Sequence, residues 1–471
     1  MSNFATAKNA EVSENETSVE ISTRKKILMV RVSPNSYFAA LFLTAFFSAL
    51  LFYLDYDRLA ILLFGMSWLI FPFLFWADCI TFDGKKIART GFLPKFWAQL
   101  NNSRYRLKIG EIEQVETHAL RALKRGGNVF YRYRTSVKGK GLEFVFASGG
   151  DDYRRMIHTI FPLLSENILD NRSIELRDYL AEPKETLMKA EFARIPSAEV
   201  LENSMDKKLL KIQKNKEELS SEEAEKVEDL RVLANELRLS GYLLQALETF
   251  RRALVLNPKD GWILFEFARC LHSFASSERN PKLQKKAFAA LRLAEKRSDD
   301  NGKLLSRLGE TYFQYGDLRR ARFAFQKAID SIEENFRSVR GLAEIALREG
   351  KIAHVIHHFA SANRLAENKA LRRWTRNETD YFTRLNEDED YMELEISRVN
   401  MLETLENSKK TALKIALFAF PAILLGIVLE ENLLANTGWA VSSIALLIWV
   451  GLITSRNMLA ERIPLDLVVE D

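Results

Sequence analysis

The chain has 471 residues, and its 68 Lys and Arg against 63 Asp and Glu give a formal net charge of +5. This mild excess argues against a dedicated nucleic-acid-binding protein, which would concentrate a stronger basic charge in one domain. The two cysteines, Cys79 and Cys270, lie far apart and predict no disulfide framework. Very apolar segments alternate with very charged ones, so a purely globular, soluble chain is not expected.

Four apolar runs are each long enough, at about 1.5 Å per residue, to cross the hydrocarbon core of a bilayer. They are Tyr37–Leu54, Leu59–Ala77, Ala412–Leu429 and Gly438–Thr454. The spacers within each pair are short, which predicts two hairpins, residues 37–77 and 412–454. Their outer flanks are basic and their spacers acidic, so the positive-inside rule predicts that both termini and the region between the hairpins are cytoplasmic. Residues 1–30, rich in Ser, Thr, Asn and Glu, are predicted to be a disordered cytoplasmic leader.

Residues 79–166 change to short alternating runs separated by glycines, a pattern typical of antiparallel strands. Strands are predicted at Ile80–Phe82, Lys86–Thr90, Tyr105–Ile109, Ile112–Thr117, Asn128–Thr135 and Leu142–Ala147. The segment Asp151–Leu164 has apolar residues at helical spacing and predicts one closing helix. This order, with ITFDGKKIARTGF and IGEIEQVE after two membrane helices, resembles the bacterial membrane-linked pleckstrin-homology-like (PH-like) families. The resemblance implies a small α+β domain at the bacterial inner (plasma) membrane.

A basic segment lies within this region, because Arg121–Lys140 contains seven basic residues and no acidic one. Tyrosines and arginines alternate over residues 131–134, so they should face opposite sides of one strand. An anionic leaflet would attract such a strand. The predicted contacts with anionic headgroups at the membrane surface are Lys124, Arg125, Arg132, Arg134, Lys138 and Lys140. The alternative is a solvated strand face.

Residues 167–225 are predicted to be a helical, charged linker, and residues 227–367 contain an internal repeat of about 34 residues. Small and aromatic residues recur at matching offsets in Val227–Asp260, Gly302–Asn335 and Phe336–Glu367. A longer repeat, Gly261–Asn301, has extra residues around Ser276–Leu283, which should lengthen the turn between its helices. The pattern resembles the tetratricopeptide repeat (TPR). That resemblance implies an all-α solenoid of about four repeats with a concave, protein-binding groove.

If the first helix of each repeat lines the groove, the groove is mostly basic. The predicted peptide-binding residues are Arg231, Asn235, Arg269, Lys303, Arg307 and Arg340. Arg231, Asn235, Lys303 and Arg307 resemble the carboxylate clamp of chaperone-tail-binding TPR domains, although Glu266 stands where that clamp has Asn. The acidic end of the chain itself, Val468–Asp471, is one candidate ligand. A solvated basic face is the alternative.

No P-loop, G-x-S-x-G or H-E-x-x-H motif occurs, so no catalytic or cofactor-binding residue is predicted and the protein is not expected to be an enzyme. His354, His357 and His358 share a helix face, but no carboxylate completes a metal site, so no metal is predicted.

The predicted fold is a mixed membrane protein with four transmembrane helices in two hairpins, a small α+β PH-like domain and an all-α TPR solenoid. A capping and connecting helix spans 368–408, and a cytoplasmic tail spans 455–471. The predicted function is a non-catalytic, membrane-anchored scaffold that binds other, membrane-associated proteins, as an accessory subunit of a larger complex. The alternative is a lipid- or envelope-sensing module. A homo-oligomer is left open.

Overall fold

The computed structural model describes residues 27–100, 104–125, 128–148, 150–202, 220–298, 301–331, 335–460 and 462. Two small antiparallel sheets, an array of paired helices and four long apolar helices make up this part of the chain. Most of the predicted leader and the acidic end Val468–Asp471 lie outside the described residues, as does 203–219 of the predicted linker.

The strands form two sheets, with the order β1-β2-β3-β4 in the first and β5-β6-β7 in the second. Every neighbouring pair is antiparallel. The second sheet continues past the predicted strand ends, because its first two strands pair along their whole length into a long ribbon. The strands are β1 Leu28–Arg31, β2 Cys79–Phe82, β3 Lys86–Thr90, β4 Arg106–Lys108, β5 Gln114–Arg125, β6 Asn128–Gly139 and β7 Leu142–Ala147.

The first strand, β1, falls partly within the predicted leader. It pairs with β2, from Leu28 opposite Phe82 to Arg31 opposite Cys79. Two helices, α1 Asn35–Tyr53 and α2 Asp57–Ala77, connect these two strands, so the first apolar hairpin is an insertion in the sheet. The predicted leader boundary at residue 30 is therefore wrong. A strand of four residues is too short for alternation to show before an apolar run.

Two further helices lie next to the sheets. Helix α3, Phe92–Leu100, follows β3 and is absent from the sequence prediction. Helix α4, Asp151–Ile160, is the predicted closing helix, and its apolar side is buried. Residues of α4 share one core with both sheets, and this core includes Ile80, Phe82, Val137, Phe146, Tyr153, Met156 and Ile157.

The centre of the chain is an array of antiparallel helix pairs, and within the described residues 221–365 it has a TPR-like arrangement. Two shorter helices, α5 Asn171–Tyr179 and α6 Pro183–Phe192, precede it. The array helices are α7 Ser221–Ser240, α8 Leu243–Leu256, α9 Gly261–Ser277, α10 Pro281–Lys296, α11 Gly302–Gln314, α12 Leu318–Ser331, α13 Phe336–Arg348 and α14 Ile352–Leu365.

Small residues allow these helices to approach closely. The ring of Phe325 lies between Gly309 and Gly341, where a Cβ atom would come within 2.5 Å and 2.3 Å of it. The longer repeat differs from its prediction, because its extra residues lengthen the helices: α9 has 17 residues and α10 has 16, against 13 in α11. The turn between α9 and α10 stays short, since the Asn280 side chain accepts hydrogen bonds from the first turn of α10.

The last part of the chain consists of α15 Lys369–Glu387, α16 Glu389–Val428 and α17 Asn432–Leu459. The predicted boundary between a connecting helix and the third apolar run does not exist, because α16 continues through both as one helix of 40 residues. Among the described residues, α1, α2, α16 and α17 are long and apolar enough to cross a membrane. Helix α1 packs on α17, where the Tyr53 hydroxyl donates to Asn436 Oδ1 at 2.8 Å.

Candidate peptide-binding groove

Helix α5 lies between the second sheet and the array. The Asp170 carboxylate caps α5 by accepting hydrogen bonds from the backbone N–H groups of Ser173 and Thr117. The hydroxyl groups of Ser173 and Thr117 are themselves 2.8 Å apart. One side of α5 is therefore fixed to strand β5.

The other side of α5 contacts the first helices of three consecutive repeats. The Glu175 carboxylate is buried among Arg238 of α7, Arg269 of α9 and Arg307 of α11. Its Oε1 atom lies 3.0 Å from Arg238 Nη2 and 3.7 Å from Arg307 Nη2, and it accepts a hydrogen bond from Arg269 Nη1. The chain thus places its own acidic side chain at the centre of the array's basic face.

The electrostatics of this cluster favour the ionised carboxylate. Burial alone would raise the pKa of Glu175, but the guanidinium groups of Arg238, Arg269 and Arg307 lower this pKa to about 2. The cluster carries more positive than negative charge, and Glu175 Oε2 is buried without a hydrogen-bond partner among the residues that the structure describes. Because a buried charge without its partner is costly, the stability of the fold depends strongly on the pairing of Glu175 with these arginines.

Further hydrogen bonds attach α5 and the residues before it to the array. The Asn171 side chain donates to the Arg307 carbonyl oxygen at 3.1 Å and accepts from Arg307 Nε at 3.1 Å. Further along, Arg337 donates to the carbonyl oxygens of Glu166 and Leu169, which precede α5. The segment that the sequence analysis assigned to the start of a linker is therefore a buried structural element.

Two of the clamp-like residues bind a carboxylate of the array itself. Arg231 donates through Nε and Nη2 to both carboxylate oxygens of Glu266, at 2.8 Å and 2.7 Å. Asn235 Nδ2 donates to Glu266 Oε2 at 2.8 Å. Glu266, the residue that departs from the clamp pattern, thus supplies the carboxylate that Arg231 and Asn235 bind.

The two remaining predicted groove residues have different surroundings. Lys303 is exposed and lines a cleft of about 330 Å³ together with Asn335 and Glu367. Arg340 donates to Glu344 at 2.8 Å and lies over the ring of Trp374, 5.4 Å from its centroid. The structure therefore separates the six predicted residues into a filled centre and two outer positions, of which Lys303 is exposed and Arg340 is mostly buried.

The residues predicted to contact a membrane surface also divide into groups. Arg132 and Arg134 are exposed on β6, whereas Tyr133 on the opposite side is buried, as the alternation predicts. Lys138 and Lys140 form ion pairs with Glu116 and Glu111 of the same domain. The side chains of Lys124 and Arg125 lie outside the described part of the chain.

Residues important to the groove were missed at the sequence level, chiefly Asn171 and Glu175. The available signal was charge complementarity, since a mostly basic groove face needs an acidic partner. The three histidines predicted to share a face lie on α14, where the rings of His357 and His358 are 5.4 Å apart. Among the described residues, no group of three or more His, Cys, Asp or Glu side chains could hold a metal ion.

Comparisons with known proteins give only weak likenesses. No family model and no curated protein matches the chain. A solved structure of PilF from Pseudomonas aeruginosa is 19% identical, with a TM-score of 0.30, and the match covers 50% of this chain and 100% of that one. The Cut9–Hcn1 heterotetramer of the APC/C is 15% identical, with a TM-score of 0.28, and the match covers 66% of this chain and 52% of that one. Likenesses at this level place the chain in no family, and the TPR-like description rests on the helix pairs and their packing.

Proposed function

We propose that the chain is a non-catalytic scaffold, anchored in a membrane by two hairpins, that binds proteins at the cytoplasmic face. The observation that carries this proposal is the position of the four apolar helices at both ends of a TPR-like array. Their outward surfaces are apolar, and Leu69 of α2, for example, is 74% exposed. Such surfaces need a covering, and the bilayer matches their length.

Ion pairs and hydrogen bonds join each hairpin to the region between them. At the first hairpin, Asp78 accepts hydrogen bonds from Tyr37 of α1 and Arg89 of β3. At the second, Arg462 pairs with Glu378 of α15 at 3.1 Å. With α5 tying the sheets to the array, the array is held near the membrane at both ends. This geometry suits a protein that organises membrane-associated neighbours.

In this proposal the two sheets, including β1, form the PH-like domain together with α4, and α7 to α14 form the TPR array. Because α5 fills the centre of the array's concave side, partner proteins bind the parts that it leaves open. The cleft beside Lys303 is the first candidate, since this lysine is exposed. The neighbouring Glu367 and Asn335 side chains already bond to Ser165, Asn167 and Ser306, so they fix the walls of the cleft.

Membrane topology provides the main test. Single cysteines replacing Tyr56 and Glu431, in the two hairpin spacers, should react with a membrane-impermeant maleimide added to intact cells. A cysteine replacing Lys85, an exposed residue of the sheet domain, should react only after permeabilisation. Native Cys79 and Cys270 are buried and should give little background. Labelling of the Lys85 position in intact cells would contradict the proposed topology.

The scaffold role has its own test. A photo-reactive amino acid at Lys303, activated in native membranes, should form defined adducts with one or a few proteins. The same amino acid at Lys85, away from the array, serves as the control and should not form these adducts. If both positions give the same adducts, or the Lys303 position gives none, partner binding at this cleft is wrong.

A second candidate function, recognition of anionic headgroups, is favoured by one cleft. A space of about 360 Å³ lies where the chain passes from β1 into α1, and its lining includes Ser33, Asn35, Arg132, Arg134 and Glu143. Two exposed arginines at the base of a membrane-crossing helix lie at the level of lipid phosphates, which bind guanidinium groups well.

This second function makes a separate prediction. Replacing Arg132 and Arg134 together with Gln should reduce, several-fold, the phosphatidylglycerol that remains bound to the full chain after mild detergent solubilisation. The matched control is the Lys138→Gln, Lys140→Gln double variant at the end of the same strand and in the turn after it, because its lysines already pair with glutamates. Equal lipid retention in both variants would exclude a headgroup site here. Loss of retention at moderate salt in the wild type would indicate a diffuse electrostatic contact instead.

A further inference from the structure

Helix α3 exposes an unusual amount of apolar surface for a short helix in a folded domain. Phe92 is 66% exposed, Leu93 42% and Phe96 50%. At about 100° per residue these three side chains fall within one arc of roughly 100°, and Lys95 and Gln99 lie beside that arc. Ala98 is buried and marks the side that faces the protein. The helix is therefore amphipathic, with its apolar side turned away from the core.

The strand register fixes the level at which α3 begins. Helix α2 ends at Ala77, and the chain then leaves along β2 and returns along β3. In this antiparallel pair, Cys79 at the start of β2 lies opposite Thr90 at the end of β3. The chain is thus back at the end of α2 when α3 starts at Phe92.

Contacts on both sides hold α3 at this level. A cleft of about 410 Å³ is lined by Ala77 of α2 and by Phe92 and Phe96 of α3, so the two helices border one another. Beside it, the fully buried Asp78 binds Arg89 through two hydrogen bonds of 2.9 Å and 2.6 Å and accepts a third from Tyr37. These bonds join the start of α1, the end of α2 and β3, so the sheet is not free to rotate about the hairpin.

We infer that α3 lies in the plane of the membrane interface, with Phe92, Leu93 and Phe96 among the lipids of the cytoplasmic leaflet. This inference rests on the proposal that α1 and α2 cross the bilayer. The occupant of the exposed face is lipid because α3 starts where a membrane-crossing helix ends, at the boundary between headgroups and acyl chains. A short helix with aromatic side chains on one face and a lysine beside them suits that boundary. The helix would then set the orientation of the sheet domain against the bilayer.

The test uses the full chain in nanodiscs of phosphatidylcholine and phosphatidylglycerol that contain lipids with a quencher near the headgroup. An environment-sensitive fluorophore is attached to a cysteine replacing Phe96. A cysteine replacing Lys85 is the matched control, since this exposed residue is in the turn at the far end of β2 and β3. The expected result is quenching of the Phe96 label at least several-fold stronger than that of the Lys85 label.

A third labelled position separates this inference from the proposal on which it rests. A cysteine replacing Leu69, in the middle of α2, should be quenched most strongly in nanodiscs whose lipids have the quencher near the end of the acyl chain. If the Leu69 label is quenched and the Phe96 label behaves like the Lys85 label, the inference about α3 is wrong while membrane anchoring stands. If the Leu69 label is not quenched, anchoring fails as well. Disulfide formation between Phe96→Cys copies, without quenching, would show that a second copy covers this face and would overturn the inference.

Discussion

Replacing Glu175 with Gln is expected to lower the free energy of unfolding of the region between the two apolar hairpins by about 3–5 kcal/mol, because one partner of a buried ion cluster is lost. Arg238, Arg269 and Arg307 would then face each other without the carboxylate that they share. The change keeps the size of the side chain, so the loss reports its charge. Urea unfolding followed by tryptophan fluorescence in mild detergent measures the effect.

Asp178→Asn on the same helix is the matched control. Asp178 pairs with the adjacent Arg177 at the surface, and exposed pairs contribute less than about 1 kcal/mol. Equal destabilisation by the two variants would show that Glu175 does not hold α5 in the groove.

The pH dependence of this effect has a definite sign. The pKa of Glu175 is about 2 in the folded chain, below its ordinary value of 4.5. A carboxyl with a lowered folded-state pKa stabilises the fold above its unfolded pKa and loses this contribution as the pH falls towards the folded value. The difference in stability between wild type and Glu175→Gln should therefore be complete at about pH 6 and should narrow below about pH 5. The same urea titration, repeated at decreasing pH, measures it.

The sequence was most informative where structure depends on local patterns. The apolar runs coincide with α1, α2 and the apolar parts of α16 and α17, and the repeat spacing locates the helix pairs of the array. Strands β3 and β7 match their predicted ranges because alternation and flanking glycines define both. Local patterns failed for β1, whose pairing with β2 spans an inserted hairpin, and for α3, whose amphipathic pattern covers only nine residues.

In the candidate groove, contacts between distant segments limited what the sequence could predict. Its basic residues were predictable, because one helix face repeats in each TPR-like pair. Their acidic partners were not predictable, because these lie in other segments of the chain. Glu175 is 63 residues from Arg238, and Glu266 is 35 residues from Arg231. A contact between distant segments leaves no periodic trace in the sequence. The predicted peptide site was based on the basic side of these contacts alone, and it stays a prediction.

Replacing Gly241 with Ala is expected to separate the array from the sheets, because this glycine is in contact with strand β6. Its φ of 92° is left-handed, and a Cβ atom there would lie 1.8 Å from the Val129 carbonyl oxygen. The Gly241 carbonyl oxygen also accepts a hydrogen bond of 2.9 Å from the Val129 N–H group, and Tyr133 donates to the neighbouring Leu239 carbonyl oxygen at 2.6 Å. The chain must move at this junction, so the unfolding free energy should fall by about 2–5 kcal/mol through backbone strain and overpacking together.

Gly316→Ala isolates the effect of the junction from that of the backbone. Gly316 follows the first helix of a later repeat, as Gly241 does, and has a similar φ of 84°, but no atom of the described residues lies within 4 Å of a Cβ placed there. It should therefore show only the left-handed strain, about 1–2 kcal/mol. In limited proteolysis, Gly241→Ala should also speed cleavage between the sheet domain and the array, whereas Gly316→Ala should not. If both variants lose the same stability and keep the same cleavage rate, the sheets and the array are not packed through this turn, and the contacts of α5 would be what joins them.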